Sequence, residues 1–250
     1  MDAPAGYREW PAPAALASVV RCGWSFSVEE SAAPDAPPAS DAVLPDGCMD
    51  LIAKDGVLLV AGPDTAPAPT VRRPGSTAVG LRFEPAAAPA LLGLPASELR
   101  DLRVALSDLW GREADAIEER VCAAPPAERL TVLAALVGER LAGAAPPDRR
   151  IRLAAARLWQ EPGARLAVLG RELALSERQL RRRFVSAVGY GPRTFARIAR
   201  FQRLLALLRS GEELAAAAAE AGYADQPHMT REAVRLAGRT PAALVRAEVR

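Results

Sequence analysis

The C-terminal part of the chain contains one pattern twice: a short helix, a tight turn and a second helix. The first copy covers residues 166–184 (LAVLGRELALSERQLRRRF) and the second covers residues 214–234 (LAAAAAEAGYADQPHMTREAV). In each copy an alanine-containing helix meets a break, at Leu175 or at Gly222, before a helix with polar residues on its exposed face. This layout predicts two helix-turn-helix units, whose second helix can lie in the major groove of DNA.

The charge of the chain divides just before the first copy. Residues 1–148 hold 12 basic and 21 acidic residues, a net charge of −9, whereas residues 149–250 hold 20 basic and 9 acidic residues, a net charge of +11. The overall charge of +2 therefore hides a strongly dipolar protein. A basic half beside an acidic half is typical of a nucleic-acid module attached to a second domain.

Composition argues against most catalytic and metal-binding sites. His228 is the single histidine and lies inside the second copy, so a Ser-His-Asp or Cys-His arrangement has no base elsewhere. The chain has no GxxxxGK[ST] or GxGxxG phosphate loop. Three widely spaced cysteines without a CxxC predict reduced thiols rather than disulfides or a zinc site. We therefore expect no enzyme activity, no cofactor and no metal.

The chain shows no targeting or membrane signal. Its first residues lack a basic segment followed by an apolar one, which is the pattern of a signal peptide. No apolar run approaches the ~20 residues that a membrane-spanning helix needs. The expected location is the cytoplasm, without a membrane partner.

The predicted fold class is α+β in two domains. Residues 1–145 predict a β-rich domain with trailing helices, because β-branched and aromatic residues are dense over 18–28, 56–61 and 77–83. From about residue 86 apolar residues fall at helical spacing, which predicts helices over 86–92, 96–109, 113–121 and 127–142. The Pro-rich segment 143–148 predicts a linker.

Residues 149–250 predict an all-α domain of seven helices with two helix-turn-helix units. The predicted helices are 150–160, 166–173, 176–188, 193–209, 213–221, 226–237 and 240–249. The long helix 193–209 carries an apolar stripe and predicts a rigid spacer of about 25 Å between the two units. Thr240 and Pro241 predict the start of the last helix, as N-cap and first helical residue.

The second helix of each unit is called its reading helix, because it is the one expected to contact DNA bases. The first reading helix, 176–188, presents arginines to solvent. Ser176 followed by Gln179 predicts a capping box. Arginine can pair with two acceptors of guanine and glutamine with adenine. The predicted DNA contacts are Arg178, Gln179, Arg181, Arg182 and Arg183. Successive helical residues are about 100° apart, so we expect Arg178, Arg181 and Arg182 at base edges and Arg183 at the DNA backbone or packed internally.

The second reading helix, 226–237, has a different polar face. Asp225 predicts its N-cap, and Pro227 is compatible with a helix here because it falls in the first turn. The predicted DNA contacts are Gln226, His228, Thr230 and Arg231. For His228, groove contact and helix packing are equally weighted alternatives. Arg231 is expected on a phosphate rather than on a base.

Both copies resemble the signature of AraC/XylS-type transcriptional regulators. The resemblance lies in residues 222–231 (GYADQPHMTR) before 238–241 (GRTP), and in 176–184 (SERQLRRRF) before 189–192 (GYGP). It covers about residues 149–250 and implies seven helices with two units that bind adjacent major grooves. The chain departs from the family pattern at Leu175, Pro227, Met229 and Ala233.

The N-terminal half resembles, less specifically, the small β-rich effector domains attached to such regulators. The resemblance lies in residues 44–50 (LPDGCMD) and 61–64 (AGPD), and it implies a sensor or dimerisation role. Trp10, Trp24, Phe26 and Phe83 are candidates for an apolar pocket or for the core, and no ligand residue is assigned.

The expected function is sequence-specific transcriptional regulation. Helices 176–188 and 226–237 are expected to read two adjacent major-groove segments of promoter or operator DNA, and the N-terminal domain is expected to modulate them. RNA polymerase, a small-molecule effector and a second copy of the chain are further candidate partners.

Two alternatives stay open. The first is a DNA-repair or other enzyme fused to a DNA-binding module, with Cys48 as the candidate nucleophile. The flanking Asp46 and Asp50 should raise the pKa of the Cys48 thiol, which argues against this alternative. The second is a protein-interaction scaffold with a degenerate DNA surface.

Overall fold

The computed structural model describes residues 6–29 and 39–248. A β-rich sheet region comes first and an all-helical region follows, as the α+β prediction states. The last predicted helix extends to Val249, which lies outside the described residues.

The sheet region is built from antiparallel strands. Its strands are β1 (Gly6–Pro11), β2 (Val20–Ser27), β3 (Ala39–Val43), β4 (Met49–Lys54), β5 (Val57–Ala61), β6 (Ala68–Arg72), β7 (Thr77–Phe83) and β8 (Arg103–Ala105). Six of them form one sheet in the order β1-β2-β7-β4-β5-β8, and β3 pairs with β6. The predicted strands 18–28, 56–61 and 77–83 correspond to β2, β5 and β7.

Side-chain alternation assigns the two faces of the large sheet. Along β4 the residues Met49, Leu51 and Ala53 are buried, whereas Asp50, Ile52 and Lys54 between them are partly exposed. This is the period of two that a strand imposes. The buried face packs with Leu81 and Phe83 of β7 against apolar residues of the helices that follow the sheet.

Four helices complete the sheet region: α1 (Ala88–Leu92), α2 (Leu106–Trp110), α3 (Arg112–Ala123) and α4 (Arg129–Ala142). Leu133 and Val137 of α4 are buried in the same core as β7. The predicted helices 86–92, 113–121 and 127–142 correspond to α1, α3 and α4.

The predicted helix over 96–109 is wrong. The segment instead forms a 3₁₀ turn (Ala96–Glu98), then β8 and then α2. Asp101 has a left-handed backbone, with φ of 60°, which no α-helix accommodates. After it, Arg103 pairs with Ala61 of β5 and forms an ion pair with Asp64, with 2.6 Å between Nη2 and Oδ2. Pairing with the open edge of β5 thus outweighs the helical spacing of the apolar residues.

The aromatic residues proposed for a pocket do not all converge: Trp24 and Phe26 share one face of the sheet, and Phe83 lies on the other. Phe83 is buried among the core residues under α4, whereas Trp24 pairs with Gly80 and so lies on the opposite face of the sheet. Trp10 is exposed.

The helical region contains seven helices within residues 149–248. They are α5 (Arg149–Gln160), α6 (Leu166–Glu172), α7 (Glu177–Val188), α8 (Pro192–Arg209), α9 (Leu214–Ala221), α10 (Gln226–Ala237) and α11 (Pro241–Glu248). Each end within the described residues lies within one residue of its prediction. Phe184 of α7, Phe195 of α8 and Leu236 of α10 belong to one buried cluster, so the two helix pairs share a core.

Candidate nucleic-acid interface

The capping box at the start of α7 is confirmed. The Gln179 backbone N–H donates to Ser176 Oγ at 3.2 Å, and the Ser176 N–H donates to Gln179 Oε1 at 3.0 Å. These bonds satisfy donors that the first helical turn cannot satisfy by itself. The Gln179 side chain is therefore bound through its oxygen to the end of its own helix.

Ser176→Ala should lower the free energy of unfolding by about 1 kcal/mol, because the Oγ acceptor at the N-cap is lost. Chemical denaturation of the full chain measures this loss. The matched control is Ser186→Ala, which removes an exposed hydroxyl from the same helix away from the cap. Equal losses in the two variants would mean that the capping bond contributes nothing.

Packing orients the rest of α7. Leu180, Phe184 and Val188 are buried in the shared core, as their spacing predicts. On the opposite side Arg178, Arg181 and Arg182 are exposed. Among the described residues, none hydrogen-bonds or ion-pairs with any of the three guanidinium groups. They form a positively charged ridge along an anchored helix.

Arg183 does not belong to this ridge, because its side chain pairs with an aspartate. Its Nη1 lies 3.4 Å from Asp148 Oδ2. The other oxygen of Asp148 caps α5 by accepting from the Arg150 backbone N–H at 3.0 Å. Asp148 was not singled out as a functional residue, although an aspartate directly before a helix is a common N-cap signal.

The second reading helix, α10, begins as predicted. The His228 backbone N–H donates to Asp225 Oδ1 at 2.6 Å, and Pro227 lies in the first turn. Met229 and Ala233 are fully buried. Gln226 and Arg231 are exposed, whereas Thr230 is half-buried.

His228 is only partly available to a ligand. Its side chain is 32% exposed, and Nε2 lies 3.5 Å from Glu232 Oε1. The ring meets Tyr223 edge-on, with 5.3 Å between centroids. Glu232, Tyr223 and Arg200 could not be predicted as a group, because no local motif joins them.

The two turns reach the same geometry with different residues. In the second unit Gly222 ends α9 in the left-handed region, with φ of 87°. In the first unit Ala174 takes that conformation, with φ of 52°, although Leu175 was the predicted break. Leu175 is instead buried in the shared core.

The helix α8 links the two units. Its 18 residues span about 27 Å, at 1.5 Å per residue. It begins directly after the Gly189–Gly191 segment that follows α7, and both α9 and α10 pack on it. Two capped reading helices on one rigid spacer, in a strongly basic region, define a DNA-binding transcriptional regulator.

Comparisons with known proteins agree with this class. A family model described as a helix-turn-helix domain matches residues 169–247, and one described as a domain of unknown function (DUF6597) matches residues 8–105. Residues 169–247 therefore form a helix-turn-helix domain of the AraC type, and the domain of unknown function lies within the β-rich N-terminal region. No curated protein sequence matches it.

Two solved structures of ToxT from Vibrio cholerae are similar in arrangement. That of strain O395 has 9% sequence identity and a TM-score of 0.46, covering 88% of this chain and 95% of that one. The apo form of a variant from strain SCE256 has 10% identity and a TM-score of 0.47, covering 94% and 98%.

No helix in residues 6–29 and 39–248 is both long and apolar enough to cross a membrane. Within the same residues no group of three or more metal-binding side chains comes together.

Proposed function

We propose that α7 and α10 read two neighbouring major-groove segments of promoter DNA. The observation that carries the proposal is the ridge of Arg178, Arg181 and Arg182, three exposed arginines that no described residue pairs with, on a capped helix with a buried opposite face. The guanidinium group forms two parallel hydrogen bonds to the O6 and N7 atoms of guanine.

We assign the other predicted DNA contacts to the groove, to a phosphate or to packing. Gln179 would reach DNA through its amide nitrogen, since its oxygen is bound to Ser176. Arg183 would meet a phosphate from its place beside Asp148. From α10 we assign Gln226 and Thr230 to the groove and Arg231 to a phosphate. His228 would serve through packing and at most through its exposed edge.

We further propose two domains, residues 1–145 and 149–250, with the first modulating the second. The supporting observation is a set of contacts between the sheet region and the helices α5 and α8. Gln202 of α8 donates from Nε2 to the Pro45 carbonyl at 2.6 Å. Gly47 lies so close to Phe195 that a Cβ atom there would be 2.9 Å from its ring. The Arg21 guanidinium lies 5.3 Å from the Trp159 ring centroid.

The turn before β4, which contains Pro45 and Gly47, is anchored to the sheet by ion pairs. Arg82 of β7 lies with Nε 3.2 Å from Asp46 Oδ2 and 3.1 Å from Asp50 Oδ1. Burial raises the pKa of the Asp50 carboxyl to about 6, against the lowering effect of Arg82. A change at this face of the sheet, by an effector or a second copy of the chain, would thus act on the turn that contacts α8. RNA polymerase is the further candidate partner once the protein is on a promoter.

A catalytic role for Cys48 is not favoured. The residue is buried, and burial, with Asp46 next, raises the pKa of its thiol well above the ordinary value. A thiolate nucleophile needs the opposite shift and an exposed sulfur.

The experiment that tests the proposal is selection of duplexes from a random-sequence library with the full chain at moderate salt. Enrichment of one bipartite motif, two short blocks about one helical turn apart, is the expected result. Weak, salt-sensitive retention without any enriched sequence would overturn the proposal and leave only phosphate contact. Enrichment of a single block would limit reading to one helix.

A further inference from the structure

Four side chains connect the linking helix α8 to the second unit. Arg200 of α8 has its Nη1 atom 3.5 Å from Glu232 Oε2 of α10. The other oxygen of Glu232, Oε1, lies 3.5 Å from His228 Nε2. The Arg200 guanidinium also lies 5.5 Å from the ring centroid of Tyr223, in the turn before α10. Glu232 is thus contacted by Arg200 of α8 and by His228 in the first turn of its own helix.

This ion pair is more buried than the other pair between α8 and the second unit. The side chains of Arg200 and Glu232 are 18% and 12% exposed. The pair of Arg203 with Glu220 of α9 has a similar distance, 3.4 Å, but side chains that are 46% and 55% exposed. Removal of one partner from a buried pair is costly, whereas an exposed pair contributes little.

The apolar contact beneath Glu232 is small. The next residue, Ala233, is fully buried in the shared core and offers a single methyl group. A methyl group restricts the angle of a helix less than a large side chain, because it interdigitates with fewer neighbours. Met229 and Leu236, on either side of this point, are buried as well, so the ion pair adds to their contacts in fixing the angle of α10 on α8.

We propose that Glu232 is a positioning residue that sets the angle of α10 on α8, and with it the spacing between the two DNA segments. The inference rests on the proposed function, in which both α7 and α10 read DNA. The start of α8 follows α7 after three residues, so α7 is tied to that end. Arg200 and Glu232 tie α10 to the middle of the same helix.

The test compares Glu232→Gln with the matched control Glu220→Gln in the full chain. Both variants keep the side-chain shape and remove the charge. The duplexes are the bipartite sequence selected by the unaltered protein, the same blocks with one or two base pairs inserted between them, and the first block alone. Each inserted base pair turns the second block by about 35° around the DNA axis.

The unaltered protein and Glu220→Gln should lose about 30-fold in affinity when the spacing changes, because a rigid α10 cannot follow the turned block. Glu232→Gln should lose only about 3-fold, because its α10 tilts more easily without the ion pair. Its affinity for the first block alone should equal that of the unaltered protein. Arg200→Gln, which removes the other partner, should reproduce the relaxed spacing.

Four results would count against the inference. A Glu232→Gln variant with the original spacing preference would overturn it, and so would an Arg200→Gln variant with that preference. Weaker binding of Glu232→Gln to the first block alone would mean that the residue supports the whole helical region. If the unaltered protein itself ignores the second block, the proposed two-helix function fails first, and the inference fails with it.

Discussion

Arg182→Ala is expected to abolish discrimination at one or two base pairs of the selected operator. The Arg182 side chain is exposed on α7, and no described residue pairs with it, so its guanidinium group is free to meet a base edge. Loss of a bidentate contact should cost about 1–3 kcal/mol against the preferred base, or about 5-fold to 150-fold in affinity. Binding constants over a set of single-base operator variants, at one salt concentration, measure the effect.

The neighbouring Arg183→Ala is the matched control. Both positions carry the same residue type in the same helix, but Arg183 pairs with Asp148. We expect this variant to bind all operator variants more weakly by a common factor and to reduce the salt dependence of binding by about one phosphate contact. Identical behaviour of the two variants would contradict the assignment of Arg182 to a base edge.

Gly189→Ala is expected to destabilise the contact between the sheet region and α7. Gly189 ends α7 with φ of 96°, and a Cβ atom there would lie 2.3 Å from Pro63 Cγ and 3.1 Å from the Ala96 carbonyl oxygen. The variant therefore combines backbone strain of about 1–2 kcal/mol with a steric conflict of about 1–3 kcal/mol. Urea unfolding followed by tryptophan fluorescence measures the sum, because Trp159 lies at another contact between the sheet region and the helical region, beside Arg21 and Gly47.

Gly222→Ala separates the two costs. Gly222 has a similar φ of 87°, but nothing lies within 4 Å of the position that a Cβ atom would take. This variant should lose only the strain, about 1–2 kcal/mol, and should leave the fluorescence of the folded protein unchanged. If both variants lose the same free energy, the packing of Pro63 and Ala96 on Gly189 adds nothing to the association of the two regions.

The reading helices could be predicted from sequence because their signals are local. Ser176 and Gln179 are three residues apart and cap the helix by themselves. The inward positions of Leu180, Phe184 and Val188 follow from a spacing of four. Such signals act within one or two helical turns, so they do not depend on the rest of the fold.

The strands were harder to predict for an equally physical reason. β1 is an edge strand with mostly exposed residues, so its sequence shows no alternation of polar and apolar residues. The three residues of β8 become a strand only because β5 offers an open edge. Strand formation of this kind depends on the partner rather than on the segment's own propensity.

The class of protein could therefore be predicted from the chain alone. The doubled helix-turn-helix pattern and the helix caps lie in residues that are close together in sequence, and the division of charge needs only composition. The contacts of individual side chains could not be predicted in this way. Arg183 meets Asp148 across 35 residues, Arg200 meets Glu232 across 32, and Gln202 meets Pro45 across 157. Pairs so far apart in sequence come together only when the helices and the sheet pack, because packing rather than local conformation sets their distance and burial.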